Sequence, residues 1–115
     1  MHELAVTQRI LEIALEHANL AAARRITAIH LTIGDLSSIV DDSVQFYFDH
    51  LAPGTLAEGA RLVFHRLPGR FRCRSCGHEY TPQHGLDWRC PACGEYGVEI
   101  LQGREFTVDS IEVET

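Results

Sequence analysis

Four cysteines in two pairs, Cys73-Arg-Ser-Cys76 and Cys90-Pro-Ala-Cys93, carry the most definite chemistry of this chain. Residues 77–89 separate the pairs, and the 115-residue sequence holds no other cysteine. A CxxC pair puts two thiolates on one tight turn. Two such turns set face to face offer four sulfurs at tetrahedral angles, the closed set that Zn²⁺ accepts because a d¹⁰ ion imposes no geometry of its own. Gly77 and Gly94 each follow the second cysteine of a pair. Positive φ there lets backbone N–H groups point at sulfur. Two disulfides would need an oxidising compartment, yet residues 1–20 lack the basic start, apolar stretch and small-residue cleavage site of a signal peptide. The pattern therefore implies a cytoplasmic metal site. Sulfur spacing alone does not separate zinc from a rubredoxin-type iron, but the short loop between the pairs favours a zinc ribbon. Such a site is structural and performs no catalysis.

A second constellation stands at the amino terminus, Met1-His2-Glu3. The α-amine of Met1, the amide of His2 and the His2 imidazole place three nitrogen donors within two residues. A deprotonated amide between an amine and an imidazole wraps a divalent ion in fused chelate rings, a set suited to Ni²⁺ or Cu²⁺ rather than Zn²⁺. Glu3 adds an oxygen donor. Histidine in second position also protects Met1 from removal, which generally requires a small residue there. Taken alone, the same triplet fits a frayed, exposed chain end equally well.

The elements that must position these residues follow from periodicity. Residues 3 to about 22 predict an amphipathic helix, with Val6, Ile10, Ile13, His17 and Leu20 at steps of three and four and Leu4, Leu11, Ala14, Leu15 and Ala18 widening the stripe. Residues 26–33 alternate and are β-branched, placing Ile29, Leu31 and Ile33 on one face of a strand. Asp41 or Asp42 is expected to cap a second helix carrying Val44, Phe46, Tyr47, Phe48 and Leu51, which ends before Pro53-Gly54. Arg61–Leu67 reads as a strand, as do Val98–Leu101 and Glu105–Val113. In the last, the apolar phase shifts between Val108 and Ile111, which implies a bulge or an edge position. The expectation is a small α/β (α+β) domain, two helices on one face of a three-stranded sheet, formed by residues 1–68 plus 99–115. A zinc-ribbon lobe, residues 69–98, is inserted, with Phe71, Tyr80, Trp88 and Tyr96 packed around its metal.

Charge narrows the functions. The formal net charge is −6, from 16 acidic residues and 10 arginines, with no lysine. Residues 69–94 carry Arg70, Arg72, Arg74 and Arg89 against Glu79 and Asp87, so the lobe stands near +2 and the rest near −8. A zinc-ribbon nucleic-acid or regulatory module is the alternative reading, but so acidic a body makes a poor phosphate-binding surface. No run of about 18 apolar residues predicts a membrane span. No nucleophile elbow, phosphate loop or paired catalytic carboxylates are present, so no enzyme activity is expected. His78 and His84 flank the cysteine pairs and read as solvated loop residues. His17, His30, His50 and His65 read as surface or packing residues on helices and strands.

The whole chain resembles the hydrogenase nickel-incorporation metallochaperones, the HypA/HybF family. The resemblance rests on Met1-His2-Glu3-Leu4-Ala5-Val6, Ile33-Gly34-Asp35, the Phe46–Phe48 helix, the Ala57-Glu58-Gly59-Ala60 turn and both cysteine pairs, in register to about Val113. It implies Ni²⁺ on Met1, His2 and Glu3, and structural Zn²⁺ on Cys73, Cys76, Cys90 and Cys93. It also implies that an acidic residue before the second helix, Asp41 or Asp42, reaches the nickel in some relatives. The implied partners are a GTPase accessory protein that loads nickel and the hydrogenase large-subunit precursor that receives it. In some relatives urease maturation proteins are served as well.

Overall fold

The computed structural model describes residues 3–82 and 88–115. The chain runs α1 (Glu3–Leu20), β1 (Arg25–Gly34), α2 (Asp41–Leu51), β2 (Arg61–Leu67), β3 (Arg70–Cys73), β4 (Glu79–Tyr80), β5 (Val98–Gln102) and β6 (Phe106–Glu114). Two three-stranded sheets form, in the orders β2-β1-β6 and β4-β3-β5.

In the first sheet β1 lies in the middle, parallel to β2 and antiparallel to β6. A parallel pair needs a long crossover, which α2 provides. Alternation along β1 buries Ile29, Leu31 and Ile33 on one face. Ile29 and Leu31 meet Ile10, Ala14 and Ala18 of α1, Val44 and Phe48 of α2, and Leu62 of β2 in one core. Fully burying a side chain such as Phe48 contributes about 1.5–3 kcal/mol. The phase shift expected in the last strand is present. The register slips between His30 and Leu31, leaving Asp109 as the extra residue, and β6 is an edge strand.

Two local expectations are corrected. On α1 the expected Ile10, Ala14 and Ala18 are buried, joined by Thr7, but the stripe does not extend through His17, which is exposed, or Leu20, which is 78% exposed. The Thr7 hydroxyl satisfies itself on the Glu3 carbonyl. The cap of α2 is Val40, in extended conformation, and neither aspartate caps by side chain. In the second sheet β5, which runs to Gln102, pairs antiparallel with β3.

The two sheets are joined at Ile33-Gly34-Asp35. The Gly34 amide donates to the Glu105 carbonyl at 2.7 Å, Asp35 to Leu67 at 2.9 Å and Leu36 to Gly103 at 2.7 Å. Both chain segments that run to the lobe are thus clamped by the end of β1. A Cβ on Gly34 would lie 2.0 Å from the Gly103 carbonyl oxygen, so only glycine permits this approach.

Candidate metal centres

The two cysteine turns repeat one geometry. Cys73 N–H donates to the His78 carbonyl at 2.8 Å and Gly77 N–H to Cys73 at 2.9 Å. Cys90 N–H donates to Glu95 at 2.8 Å and Gly94 N–H to Cys90 at 2.9 Å. Gly77 and Gly94 have φ of 77° and 80°, the left-handed turn expected of them. The first cysteine of each pair is buried and the second exposed.

Contacts between sulfurs cross from one turn to the other. Cys73 and Cys93 Sγ are 3.5 Å apart, Cys76 and Cys90 Sγ 3.7 Å, and all four lie within 4.8 Å of one another. A tetrahedron with Zn–S bonds of about 2.3 Å has edges of about 3.8 Å, so the donor set fits a zinc-sized ion. Backbone amides serve the sulfurs. The Cys76 and Ser75 amides bring the Cys73 thiol down to about 6. The Glu95 amide favours the Cys93 thiolate, but the hydrogen bond to Cys73 and burial push that thiol up to about 12. Cys76 is also raised, against the pull of the His78 amide, by burial and its sulfur neighbours. One sulfur of the cluster ionises readily and the last keeps its proton in hydrogen bonds with its sulfur neighbours. A bound dication would favour the thiolate form of all four.

Aromatic packing replaces the large core that so small a lobe lacks. Phe71 is fully buried, stacked on Trp88 at a 4.7 Å centroid distance and edge-on to Tyr80 at 5.6 Å. Tyr96, expected beside them, is 67% exposed. On the outer strand face Arg70 and Arg72 pair with Glu79, and Arg72 also with Glu99. Those arginines are not offered to phosphate. His78 is exposed and stacks on Tyr80; His84 lies outside the described residues.

Of the amino-terminal triplet, Met1 and His2 also lie outside the described residues. Glu3 opens α1, and its Oε2 accepts the Val40 N–H at 3.3 Å. That contact gives the N–H of the α2 N-cap residue a carboxylate acceptor, the part an N3 side chain plays in a capping box. Its carboxyl is held below the usual range, by its own backbone amide first and then by that of Val40. The structure thereby brings Glu3 to the start of α2, where Asp41 and Asp42 form the first turn. Asp41 is engaged by Arg66 at 2.8 Å, and the same guanidinium reaches Asp35 at 3.0 Å and the Ile39 carbonyl at 3.2 Å. Sequence reading overlooked Arg66, which lies on β2, 25 residues from Asp41. It also missed that His30 and His65 meet. Alternation along both strands carried the signal, but only with the register known.

Residues 1–113 match the family model described as hydrogenase/urease nickel incorporation, metallochaperone, hypA. The chain is 46% identical over 114 residues to the hydrogenase maturation factor HypA of Geobacter metallireducens, covering 99% of this chain and 100% of that protein. To the factor of the same name from Dehalococcoides mccartyi it is 44% identical over 115 residues, covering 99% and 95%. The fold resembles the solution structure of the Ni metallochaperone HypA from Helicobacter pylori, with TM-score 0.67 and 24% identity over 99% of this chain and 98% of that one. A second solution structure, of a HypA protein, is similar with TM-score 0.70 and 27% identity, covering 98% and 96%.

Proposed function

The chain belongs to the HypA family of hydrogenase and urease nickel-incorporation metallochaperones, and on that premise we propose that it carries Ni²⁺ on Met1, His2 and Glu3 and delivers it to the hydrogenase large-subunit precursor. Zn²⁺ on Cys73, Cys76, Cys90 and Cys93 would hold the lobe. The unit made by α1, α2 and the sheet β2-β1-β6 would bear nickel, and the insertion between residues 69 and 102 would bear zinc. A GTPase accessory protein would load the nickel, with urease maturation proteins as further partners. The protein would work in the cytoplasm, where thiols stay reduced, and would catalyse no reaction of its own.

The observation that carries this reading is the match to the family model from residue 1 to residue 113, on a chain whose four cysteines cluster as one donor set. Four thiolates form a closed set whose metal-binding energy is also folding energy. Nickel is cargo and must be surrendered. The α-amine, the amide and imidazole of His2 and the Glu3 carboxylate sit at a chain end, where a receiving protein can replace donors one at a time. Glu3 is steadied by the Val40 amide. Arg66 occupies Asp41, which leaves the second helix's first carboxylate neutralised until the pair opens. A dissociation constant near ~1 μM, about 8 kcal/mol, suits such a carrier. Cu²⁺ would outcompete Ni²⁺ on nitrogen donors in isolation, so metal supply and partner recognition set selectivity.

Nickel calorimetry on the zinc-loaded chain tests the ligand set. Affinity should fall as pH drops from about 8 to 6, because the α-amine and the imidazole take up protons there. His2→Ala should abolish the tight equivalent while zinc content and circular dichroism stay unchanged. Tight binding that ignores pH over that range would exclude these donors.

A further inference from the structure

At the start of α2 a cation covers a carboxylate next to the residue that Glu3 contacts. Glu3 Oε2 accepts the Val40 N–H at 3.3 Å. Asp41 follows in the chain and opens the helix, one Cα–Cα step of about 3.8 Å from Val40. Arg66, from β2, takes hold of it there. Its Nη1 donates to Asp41 Oδ1 at 2.8 Å and to the Ile39 carbonyl at 3.2 Å, and its Nε donates to Asp35 Oδ1 at 3.0 Å. One guanidinium thus spans the end of β1, the loop after it and the first turn of α2. Ile39, Val40, Asp41, Asp42 and Arg66 line an open hollow of about 390 Å³, in which Arg66 is the one basic side chain among the described residues.

We propose that Arg66 is a positioning residue that holds nickel affinity down: it keeps Asp41 paired at the segment Glu3 touches, so that the bound ion stays exchangeable. The inference rests on Glu3 as a nickel donor and deepens the carrier reading by naming what sets release. The geometry supports it in two ways. The guanidinium divides its fork between two carboxylates instead of clasping one, and each link is a single charge-assisted bond between part-exposed groups. Such pairs contribute little to stability, so the clasp adds little to the fold. Its effect on a neighbouring dication is larger, because repulsion doubles with the ion's charge and reaches across about 8 Å at physiological salt.

Withdrawing Arg66 would leave Glu3, Asp41 and Asp42 together at the start of α2, with no basic side chain lining the hollow. Three carboxylates there would grip a divalent ion that a carrier must give up. With Arg66 in place, Asp41 is offset and the ion depends on the amino-terminal donors alone.

The test is calorimetry with Ni²⁺ alone on the zinc-loaded full chain, beside the rate at which a chelator removes the ion. Arg66→Gln should tighten nickel by about three- to tenfold and slow its removal in proportion. Arg66→Lys keeps the charge and should stay within about twofold of native. In an Asp41→Asn background, Arg66→Gln should lose most of its effect, which isolates the pair. The gain should also shrink between about 0.01 and 1 M salt, as the Debye length falls from about 30 to 3 Å. A merely structural role would loosen nickel and lower the thermal midpoint at any salt. Arg61→Gln removes the same charge from the other end of β2, about 16 Å away, and should leave nickel unchanged. Equal or weaker binding by Arg66→Gln, with the native chain still tight, would overturn this inference alone. Undiminished binding by chain extended ahead of Met1 would overturn the carrier reading and this inference with it.

Discussion

Replacing Phe71 by alanine should loosen zinc rather than unfold the protein. The ring is fully buried and stacks at 4.7 Å on Trp88 and 5.6 Å from Tyr80. Deleting a buried phenylalanine costs about 3–5 kcal/mol. The lobe has little else to lose, since β3, β4 and β5 contribute only 4, 2 and 5 residues, and zinc binding in such small lobes is worth about 10–16 kcal/mol. If the metal-free lobe is unfolded, the whole cost appears in the zinc dissociation constant, because binding and folding are then one step. At tenfold per 1.4 kcal/mol the constant should rise by about 100- to several-thousand-fold. Chelator competition measures it, and near-ultraviolet dichroism of the loaded variant should remain ordered. Were the metal-free lobe already folded, the substitution would destabilise both states alike. An unchanged zinc affinity would thus refute the coupling.

Other consequences follow from the same contacts. Gly34→Ala puts a Cβ 2.0 Å from a backbone oxygen, and should cost about 3 kcal/mol or more, read as a fall in melting temperature of about 10 °C or more. Ala22 closes α1 at φ 54°, with Ala23 N–H on Ala18 and Ala22 N–H on Asn19, the bonds of a Schellman end that glycine usually occupies. Ala22→Gly should therefore raise stability by about 0.5–1 kcal/mol in urea unfolding, the left-handed strain relieved less the added freedom of the unfolded chain. Asp109 is held below its ordinary 3.8, so its contribution is present above that value and lost as pH falls through the lower folded value. Asp109→Asn should cost under about 1 kcal/mol at neutral pH and flatten the acid limb of a urea series.

How much was legible follows the range of each interaction. The cysteine turns and their positive-φ glycines are local, and spacing alone located them. So was the bulge at Asp109, which left its trace as a slip in apolar phase. Arg70-Phe-Arg-Cys73 was not read as a strand, because four residues with two outward arginines give too short an alternation. On α1 the periodicity located Ile10, Ala14 and Ala18, missed Thr7 because a polar residue drops out of an apolar count, and carried the stripe too far toward His17 and Leu20. Glu3 on the Val40 amide, and Arg66 on Asp41, are contacts between distant segments. The His30–His65 pair likewise needs the parallel register, which no single strand encodes.

Nickel binding by chain with its native start, compared with chain lengthened by one residue ahead of Met1, bears most directly on the mechanism. Lengthening turns the α-amine into an amide and leaves His2 and Glu3 intact. The tight equivalent should vanish, with zinc content and dichroism unaltered. Undiminished tight binding in the lengthened chain would contradict the amino-terminal carrier.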